Sequence, residues 1–376
     1  MPKTAAAPAV PLLDLKRQYA ALRPDLLAAA QRVMDSGVFV MGPEGAAFEA
    51  EFAAAHGARR CVGVSSGAQA LTVALEALGV GRGDAVAVPA FTFIATATAA
   101  LELGARPVLV DVSDDGLTLC PEDLERRLAQ GVKAVIPVHL YGRSADMDPI
   151  LALSRARGLK VVEDCAQSHL ALYKGRSVGT LGDFGAFSFY PSKNLGALGD
   201  AGALTVGNDD LAELAASLRN CGRKAGAQYD HPRPGHNYRL DELQAAFLRV
   251  KLKRLAGYTE DRRRVAALYR DGLKGLPLAL PAADRPGDRQ VYHVFCVRSG
   301  RRDALKAHLD AKGVKTAVYY PEPLHMTGAL KMLGHRAGDF PRAEAAAREV
   351  LALPMFPELT DAEAARVVDA VRAFFR

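Results

Sequence analysis

Lys193 is the residue whose surroundings in the sequence indicate chemistry most clearly. It lies in FSFYPSKNLGALGDAG (187–202), just after an aromatic-flanked strand and within a loop of small residues. Upstream, KVVEDCAQ (160–167) places Asp164 at the end of a buried strand. A lysine amine that is partly desolvated can be neutral near neutral pH and can bond covalently to an aldehyde. With a carboxylate to hold the ring nitrogen, the pair predicts a site for pyridoxal 5'-phosphate (PLP).

Further roles follow for this part of the chain if it binds that cofactor. The free amine of Lys193 can carry a proton between the cofactor and a substrate carbon. Asp164 keeps the ring nitrogen protonated, and Gln167, one turn further, is placed to bond the phenolic oxygen of the ring. The alternative is that Lys193 is a surface residue and that Asp164 caps the helix beginning near Cys165. His169 is either a further contributor to the site or a structural histidine.

A phosphate site is indicated by SSGAQAL (65–71), which follows a strand and opens a helix. The first N–H groups of a helix have no partner inside it, so Ser66, Gly67 and Ala68 can surround a phosphate. Many strand-to-helix turns use serine and glycine without binding an anion. Ser188, close before the lysine, can add a hydroxyl to the same phosphate.

Two other segments carry residues suited to a flat ring and to an anion. Phe93 stands at a strand end in PAFTFIAT, so its ring either stacks on the cofactor or packs in the core. GHNYRLDELQAA places Asn237 and Arg239 directly before a helix. The guanidinium of Arg239 either binds a substrate carboxylate through two parallel hydrogen bonds or lies on the surface at the helix start.

The segment VYYPEPLH (318–325) brings Tyr319, Tyr320 and His325 into one proline-rich loop. Tyrosines that border a loop are often packing residues. Their hydroxyls also suit a ligand rich in hydroxyl groups, so the three residues are candidate substrate contacts.

Composition narrows the class and location of the protein. Its 376 residues carry a net charge of +6, and five scattered cysteines form no CxxC pair, which argues against disulfides and zinc. Residues 1–19 lack the apolar core of a signal peptide, and no stretch is long enough to span a bilayer. We therefore expect a cytoplasmic protein without membrane partners.

Residues 214–274 hold 14 Lys and Arg against 6 Asp and Glu, but no nucleic-acid motif accompanies them, so they form a solvated face or attract a small anion.

Short apolar runs alternate with helical patterns between residues 61 and 206, which predicts a mostly parallel sheet with helices on both faces. The runs 185–190 and 203–206 have no helix between them, so the sheet should become antiparallel at that end. A long helical stretch over 239–270 is expected to be broken or bent near Gly257.

The bend marks the expected boundary between a large cofactor-binding domain, 1–255, and a small C-terminal domain, 256–376. The N-terminal segment is expected to pack on the small domain. In that domain the pattern predicts strands at 291–297 and 314–320 and helices at 302–312, 342–351 and 361–375.

Together and in this order, these stretches resemble the DegT/StrS family of PLP-dependent nucleotide-sugar aminotransferases over nearly the whole chain. The matching stretches are LLDLKRQYAALRPDL, SSGAQAL, FTFIATA, PVLVDV, IPVHLYGRSADMD, VVEDCAQSH, GAFSFYPSKNLGALGDAG, GHNYRLDELQAA and PEPLH. The resemblance implies an α/β, type I (aspartate-aminotransferase-like) fold with a mostly parallel central sheet and a smaller C-terminal α/β domain. It also implies a homodimer with shared active sites.

The resemblance gives the candidate residues specific roles toward the cofactor. Lys193 would bind PLP covalently, Asp164 would hold the ring nitrogen, and Gln167 would lie near the ring oxygen. Phe93 takes the place of the aromatic residue that stacks on the ring. Four positions match phosphate contacts, the last of them from the other subunit: Gly67, Ala68, Ser188 and Asn237.

Substrate contacts also follow from the resemblance. Arg239 matches an arginine that meets the carboxylate of the amino donor. Three tyrosines fall where relatives contact the hexose: Tyr190, Tyr319 and Tyr320. The chain departs from its relatives at Ala68, where threonine is common, at Leu170, where glycine is usual, and at Tyr319, where some relatives have histidine.

The predicted reaction transfers an amino group from glutamate to a keto-deoxysugar nucleotide. Pyridoxamine phosphate is the intermediate form of the cofactor, and 2-oxoglutarate leaves. The predicted substrate is a dTDP-linked 3-keto-6-deoxyhexose. The segment VYYPEPLH favours a ketone at C3 over one at C4, and a 4-keto sugar and uridine diphosphate stay open as alternatives. A related sugar dehydratase is disfavoured because those relatives replace the lysine by histidine. A non-catalytic regulatory protein on the same fold and a nicotinamide-dependent enzyme are further alternatives, the latter opposed by the absence of a GxGxxG after the first strand.

Overall fold

The computed structural model describes residues 8–376. The strands are β1 (Arg60–Val64), β2 (Ala85–Pro89), β3 (Arg106–Val110), β4 (Val132–Val135), β5 (Lys160–Asp164), β6 (Leu172–Tyr173), β7 (Arg176–Ser177), β8 (Phe184–Ser188), β9 (Gly202–Val206), β10 (Phe295–Arg298) and β11 (Val350–Leu353). The α-helices are α1 (Leu15–Ser36), α2 (Pro43–His56), α3 (Gly67–Ala77), α4 (Ala95–Glu102), α5 (Pro121–Arg127), α6 (Met147–Arg157), α7 (Asp209–Leu218), α8 (Glu242–Leu252), α9 (Leu255–Leu273), α10 (Arg302–Ala311), α11 (Pro341–Glu349) and α12 (Asp361–Phe375).

The large sheet has seven strands in the order β1-β9-β8-β5-β4-β2-β3. β9 is antiparallel to both of its neighbours, and the other pairs are parallel. Both the mostly parallel sheet and the antiparallel turn near 203–206 are therefore confirmed. Val86 and Val88 belong to one buried core and Ala85 and Ala87 to another, because alternate side chains point to opposite faces of a strand. Helices thus cover both faces, as the continuous apolar runs predicted.

A third apolar core lies in the C-terminal part of the chain. Tyr269, Phe295 and Phe356 are fully buried in it, and β10 pairs with β11 in antiparallel fashion. Val10 belongs to the same core and forms a parallel bridge with Val314. The N-terminal segment therefore packs on the C-terminal part of the chain, while the division into two domains stays a prediction.

The predicted break in the long helical stretch is confirmed: α8 ends at Leu252 and α9 begins at Leu255, a few residues before Gly257. Two other sequence-based expectations about elements are wrong in detail. Residues 314–320 form isolated bridges rather than a strand, since within this run only Val314 and Ala317 are bridge residues. The predicted helix to residue 351 ends at Glu349, because the fully buried run VLAL pairs with β10. Over residues 8–376 no helix has both the length and the apolar character that crossing a membrane requires.

Candidate active site

The candidate active site lies at the carboxyl edge of the large sheet. β1, β2, β5 and β8 run in the same direction, so the segments that follow them meet at that edge. A cavity of ≈ 570 Å³ opens there. Most of the predicted site residues line it: Ser66, Gly67, Ala68, Phe93, Asp164, Gln167, Ser188, Tyr190, Lys193, Tyr319 and Tyr320. The fold therefore brings together residues that are far apart in the sequence.

Lys193 lies in a tightly closed loop after β8. Its N–H donates to Tyr190 O at 2.8 Å. A Cβ on Gly196 would lie 2.3 Å from Pro191 O, so glycine allows the loop to close. From α8, Lys251 Nζ donates to Gly196 O. The loop is therefore anchored on both sides of the lysine.

The amine of Lys193 is partly buried, and its pKa is lowered to about 8. Burial is the main cause because it disfavours the ammonium form, whereas the negative charge of Asp164 acts in the opposite direction. At neutral pH such an amine is neutral in a far larger fraction than an exposed lysine, which suits a nucleophile.

Asp164 is 6% exposed, and each of its carboxylate oxygens has one donor. Oδ2 accepts a hydrogen bond from Thr96 Oγ1 at 2.8 Å, and Oδ1 accepts one from the N–H of Ala166 at 3.1 Å. Burial raises the pKa of Asp164, although these two hydrogen bonds and the charge of Lys193 reduce the effect. A buried carboxylate that lines a cavity, and whose pKa is raised by burial, is stabilised in its charged form by a cationic partner.

We expect Thr96→Val to lower the free energy of unfolding by about 1–3 kcal/mol, because a buried carboxylate oxygen loses its donor. Turnover should also fall, since the carboxylate loses the bond that orients it. Urea unfolding and steady-state rates measure the two effects. Thr96→Ser keeps the hydroxyl and is the matched control. Equal stability and rates for the valine and serine variants would show that Thr96 does not orient Asp164.

The amide of Gln167 has a fixed orientation. Its Oε1 accepts a hydrogen bond from the N–H of Tyr141 at 2.7 Å, and its Nε2 lies 3.1 Å from Tyr320 Oη. A backbone N–H can only donate, so Nε2 must be the donor to Tyr320. The hydroxyl proton of Tyr320 is then available to another acceptor. This wall of the cavity therefore presents a phenol beside the amide expected from the sequence.

The start of α3 is the segment for which the sequence predicts an anion cradle. Ser66 caps the helix, and its Oγ accepts a hydrogen bond from the N–H of Gln69 at 3.2 Å. A Cβ on Gly67 would lie 2.6 Å from the Cβ of Ser188, so glycine lets the helix start approach the end of β8. Free N–H groups of the first turn and the Ser188 hydroxyl are thus neighbours at the cavity wall.

Asn237 and Arg239 do not line the cavity of their own chain, as far as residues 8–376 show. Asn237 is exposed, and Arg239 Nη1 donates to Asn220 Oδ1 at 3.4 Å. Their predicted roles in phosphate and carboxylate binding stay predictions.

His325 requires a correction to the sequence-based interpretation. Its ring is buried beside Phe340, and Nε2 lies 3.1 Å from Glu344 Oε1, so it is a packing residue rather than a lining residue of the cavity. His169 is also fully buried, with its ring against those of Phe187 and Phe189. The structure thus favours the structural alternative for His169, and it places His325 away from the cavity.

Sequence reasoning missed several residues that contact or line the site. Thr96 stands three positions after Phe93, and i,i+3 spacing at a helix start could have revealed it. His293 lies in a run that was interpreted as a strand. Leu12 and Leu13 line the cavity from the N-terminal segment, with no local signal in the sequence.

Comparison with known proteins agrees with this geometry. A family model described as the DegT/DnrJ/EryC1/StrS aminotransferase family matches residues 21–372. The chain is 47% identical over 373 residues to the dTDP-3-amino-3,4,6-trideoxy-alpha-D-glucose transaminase of Streptomyces venezuelae, covering 99% of this chain and 98% of that protein. It is 45% identical over 365 residues to the UDP-N-acetyl-3-dehydro-alpha-D-glucosamine 3-aminotransferase of Acidithiobacillus ferrooxidans, covering 97% of each.

A solved structure, S. venezuelae DesV in complex with a ketimine intermediate, matches with a TM-score of 0.96 and 46% identity, over 98% of this chain and 99% of that chain. The fold class and the aminotransferase class expected from the sequence are confirmed by these matches. The chain belongs to the DegT/DnrJ/EryC1/StrS aminotransferase family, whose members are PLP-dependent enzymes.

Proposed function

We propose that this protein uses PLP to move the amino group of glutamate to the keto carbon of a dTDP-3-keto-6-deoxyhexose. The observation that carries the proposal is the meeting of Lys193, Asp164 and the α3 cradle in one cavity. The S. venezuelae relative, named for a dTDP-3-amino sugar, supports both the carbon and the nucleotide. The A. ferrooxidans relative, named for a UDP sugar, supports the same carbon with the other nucleotide.

The residues present fit PLP. A phosphate suits the start of α3, where the absence of a Cβ on Gly67 lets Ser188 lie directly beside the first turn of the helix. The amine of Lys193, with its pKa lowered to about 8, suits an aldehyde. Asp164, buried and on the cavity wall, suits a protonated ring nitrogen, and the exposed ring of Phe93 suits an aromatic face.

PLP, when bound, supplies an electron sink for the carbanion left after a substrate carbon loses a proton. Lys193 Nζ removes that proton from the carbon bearing the amino group of glutamate and, in the second half-reaction, delivers a proton to the sugar carbon. Asp164 holds a proton at the ring nitrogen. The tyrosines at positions 190, 319 and 320 offer hydroxyls to the sugar.

Capture of PLP by the cofactor-free protein should depend on pH through Lys193. Burial lowers the pKa of the amine to about 8, and the neutral amine is the nucleophile, so the rate should rise with pH and level off above that value. Below that pKa, each unit by which the pH is lowered should reduce the rate roughly tenfold. Stopped-flow absorbance measures the capture. A rate that keeps rising until pH is near the ordinary lysine pKa would show that the amine is not desolvated.

The proposal includes a homodimer. Val38, Phe39, Val40 and Met41 form a consecutive exposed apolar run, of a kind that monomers seldom leave in water. Asn237 is exposed and does not line its own cavity, which supports a role in the cavity of a second copy.

Subunit complementation tests the shared site. We expect Lys193→Ala and Asn237→Ala proteins to be nearly inactive alone, and a mixture refolded together to regain activity. The mixed dimer has one site with both native residues, so an equal mixture should reach about a quarter of the wild-type rate. No recovery, with mixed dimers present by native mass spectrometry, would place Asn237 in its own subunit's site or outside both sites.

Loading the protein with PLP and adding glutamate tests the function itself. We expect 2-oxoglutarate to form and the visible absorbance of the enzyme to be lost. The aminated enzyme is then offered dTDP-3-keto, dTDP-4-keto and UDP-3-keto sugars, with mass spectrometry of the products. Amination of the dTDP-3-keto sugar is expected. Failure of the glutamate step would contradict an aminotransferase and favour a non-catalytic protein on this fold, and preference for another sugar would correct the substrate.

A further inference from the structure

Tyr141 joins two parts of the site to which the reaction described above gives separate roles. Its N–H donates to Gln167 Oε1 at 2.7 Å, and its hydroxyl donates to the carbonyl of Tyr319. Gln167 Nε2 in turn donates to Tyr320 Oη at 3.1 Å. Both hydrogen bonds to the tyrosine pair therefore depend on Tyr141, which is not one of the described residues that line the cavity.

The tyrosine pair has few other polar contacts. In the described part of the chain, residues 318–322 take part in no hydrogen bond between main-chain groups. Their side-chain partners are the hydroxyl of Tyr141 and the amide of Gln167. Main-chain hydrogen bonds to other parts of the chain resume at Ala317 on one side and at Leu324 on the other. The position of the pair in the cavity wall therefore depends strongly on these two contacts.

The turn that carries Tyr141 is itself fixed. Tyr141 has φ 58° and ψ 11°, a left-handed conformation that residues other than glycine seldom adopt and that persists where the surroundings impose it. Gly142 O accepts a hydrogen bond from Val291 N–H at 3.0 Å. On the side of the large sheet, His139 N–H donates to Asp164 O at 3.1 Å. The phenol of Tyr141 therefore extends from a rigid base, as a supporting residue of a precise site requires.

We propose that Tyr141 is a positioning residue for the sugar half-reaction, because it fixes Tyr319 and Tyr320 relative to Gln167. The inference rests on the proposed function, in which the two tyrosines offer hydroxyls to the sugar. The carbonyl that accepts the Tyr141 hydroxyl belongs to the peptide group between the tyrosines, so loss of this hydrogen bond releases both rings. A sugar held by released rings lies less often at the reacting distance, and its amination slows.

Tyr141→Phe removes only the hydroxyl, since the N–H that orients Gln167 belongs to the main chain. We expect kcat/KM for the dTDP-3-keto-6-deoxyhexose to fall by about 10- to 100-fold. Glutamate has no sugar hydroxyls, so its half-reaction and the Kd for PLP should stay near wild type. Tyr173→Phe is the matched control, because it removes a buried tyrosine hydroxyl, bonded to Asp146 Oδ1 at 2.7 Å, that does not line the cavity. Both half-reactions should be unchanged in this control.

A double variant tests whether Tyr141 acts through the tyrosine pair. In protein that already carries Tyr320→Phe, the Tyr141 hydroxyl has one phenol fewer to position. The loss of kcat/KM for the sugar in the double variant should therefore be smaller than the product of the two single losses. A loss equal to that product would overturn the proposal. Equal losses in both half-reactions of Tyr141→Phe, with a lowered melting temperature, would show a general packing role and would also overturn it.

The position of Tyr320 is followed in the cofactor-free protein, without turnover. Fluorine-19 NMR of protein labelled with 3-fluorotyrosine, in which Tyr320→Phe assigns the resonance, should show one narrow line for Tyr320. We expect this line to shift or broaden in Tyr141→Phe and to stay unchanged in Tyr173→Phe. A Tyr320 resonance indifferent to the Tyr141 hydroxyl would overturn the inference even if the enzyme transaminates. A wild-type enzyme that fails to react with glutamate would instead overturn the proposed function, while this resonance still decides whether Tyr141 holds the pair.

Discussion

Replacing Lys193 by alanine is expected to reduce transamination by about 10⁴-fold or more, because one residue supplies both the nucleophile and the proton carrier. The remaining site stays assembled, since the α3 cradle and Asp164 do not depend on the lysine side chain. PLP should therefore still bind, but without a covalent link. Single-turnover formation of 2-oxoglutarate measures the loss, and equilibrium dialysis measures the retained affinity.

Two control variants make this result specific to Lys193. Lys193→Arg keeps the positive charge but has no amine of lowered pKa, so it should be as inactive as alanine. Lys251→Met removes the buried lysine of α8 that donates to the loop, and whose pKa is also lowered to about 8 by burial. We expect Lys251→Met to retain covalent cofactor binding. Activity in Lys193→Ala comparable to that of Thr96→Val would contradict the assignment of the lysine.

Asp164→Asn is expected to lower kcat by about 10²–10³-fold, the usual cost of removing one electrostatic group from an active site. The amide has nearly the same shape but cannot hold a proton on the ring nitrogen. The readouts are kcat for the glutamate half-reaction and the Kd for PLP, and kcat should change more than Kd. An asparagine variant with wild-type kcat would show that the carboxylate does not serve the ring.

The stability of the Asp164→Asn variant distinguishes a loss of catalysis from misfolding. Burial raises the pKa of Asp164 in the folded state above its unfolded value, so ionisation of the carboxylate disfavours folding as pH rises above the unfolded pKa. At neutral pH the uncharged asparagine should therefore not lower the melting temperature of the cofactor-free protein. A large drop in melting temperature would mean that the catalytic loss reports a damaged fold.

Strand ends explain why much of the site could be predicted from the sequence. Asp164, Ser188 and Gly67 each stand where a buried apolar run stops, and parallel strands bring such positions to one edge. The closed loop of Lys193 follows directly, since small residues there allow the chain to fold back.

Other features of the site and of the fold depend on contacts between distant parts of the chain, which no local sequence pattern reveals. Thr96 reaches Asp164 across 68 positions in the chain, and Asn194 meets His293 across 99. His325 carries the same chemistry as a ligand-binding histidine, but Phe340 packs on it, and only the tertiary fold decides that. β11 was missed because its apolar run continues the pattern of a buried helix until pairing with β10 selects the extended form.

Reduction with borohydride, followed by peptide mapping, tests the central claim most directly. The protein is loaded with PLP, reduced, digested and analysed by mass spectrometry for the phosphopyridoxyl group. The account predicts that this group is found on Lys193, and that it disappears from the map in Lys193→Ala. A modification found on Lys251 or another lysine, or no modification in protein that holds bound PLP, would contradict it.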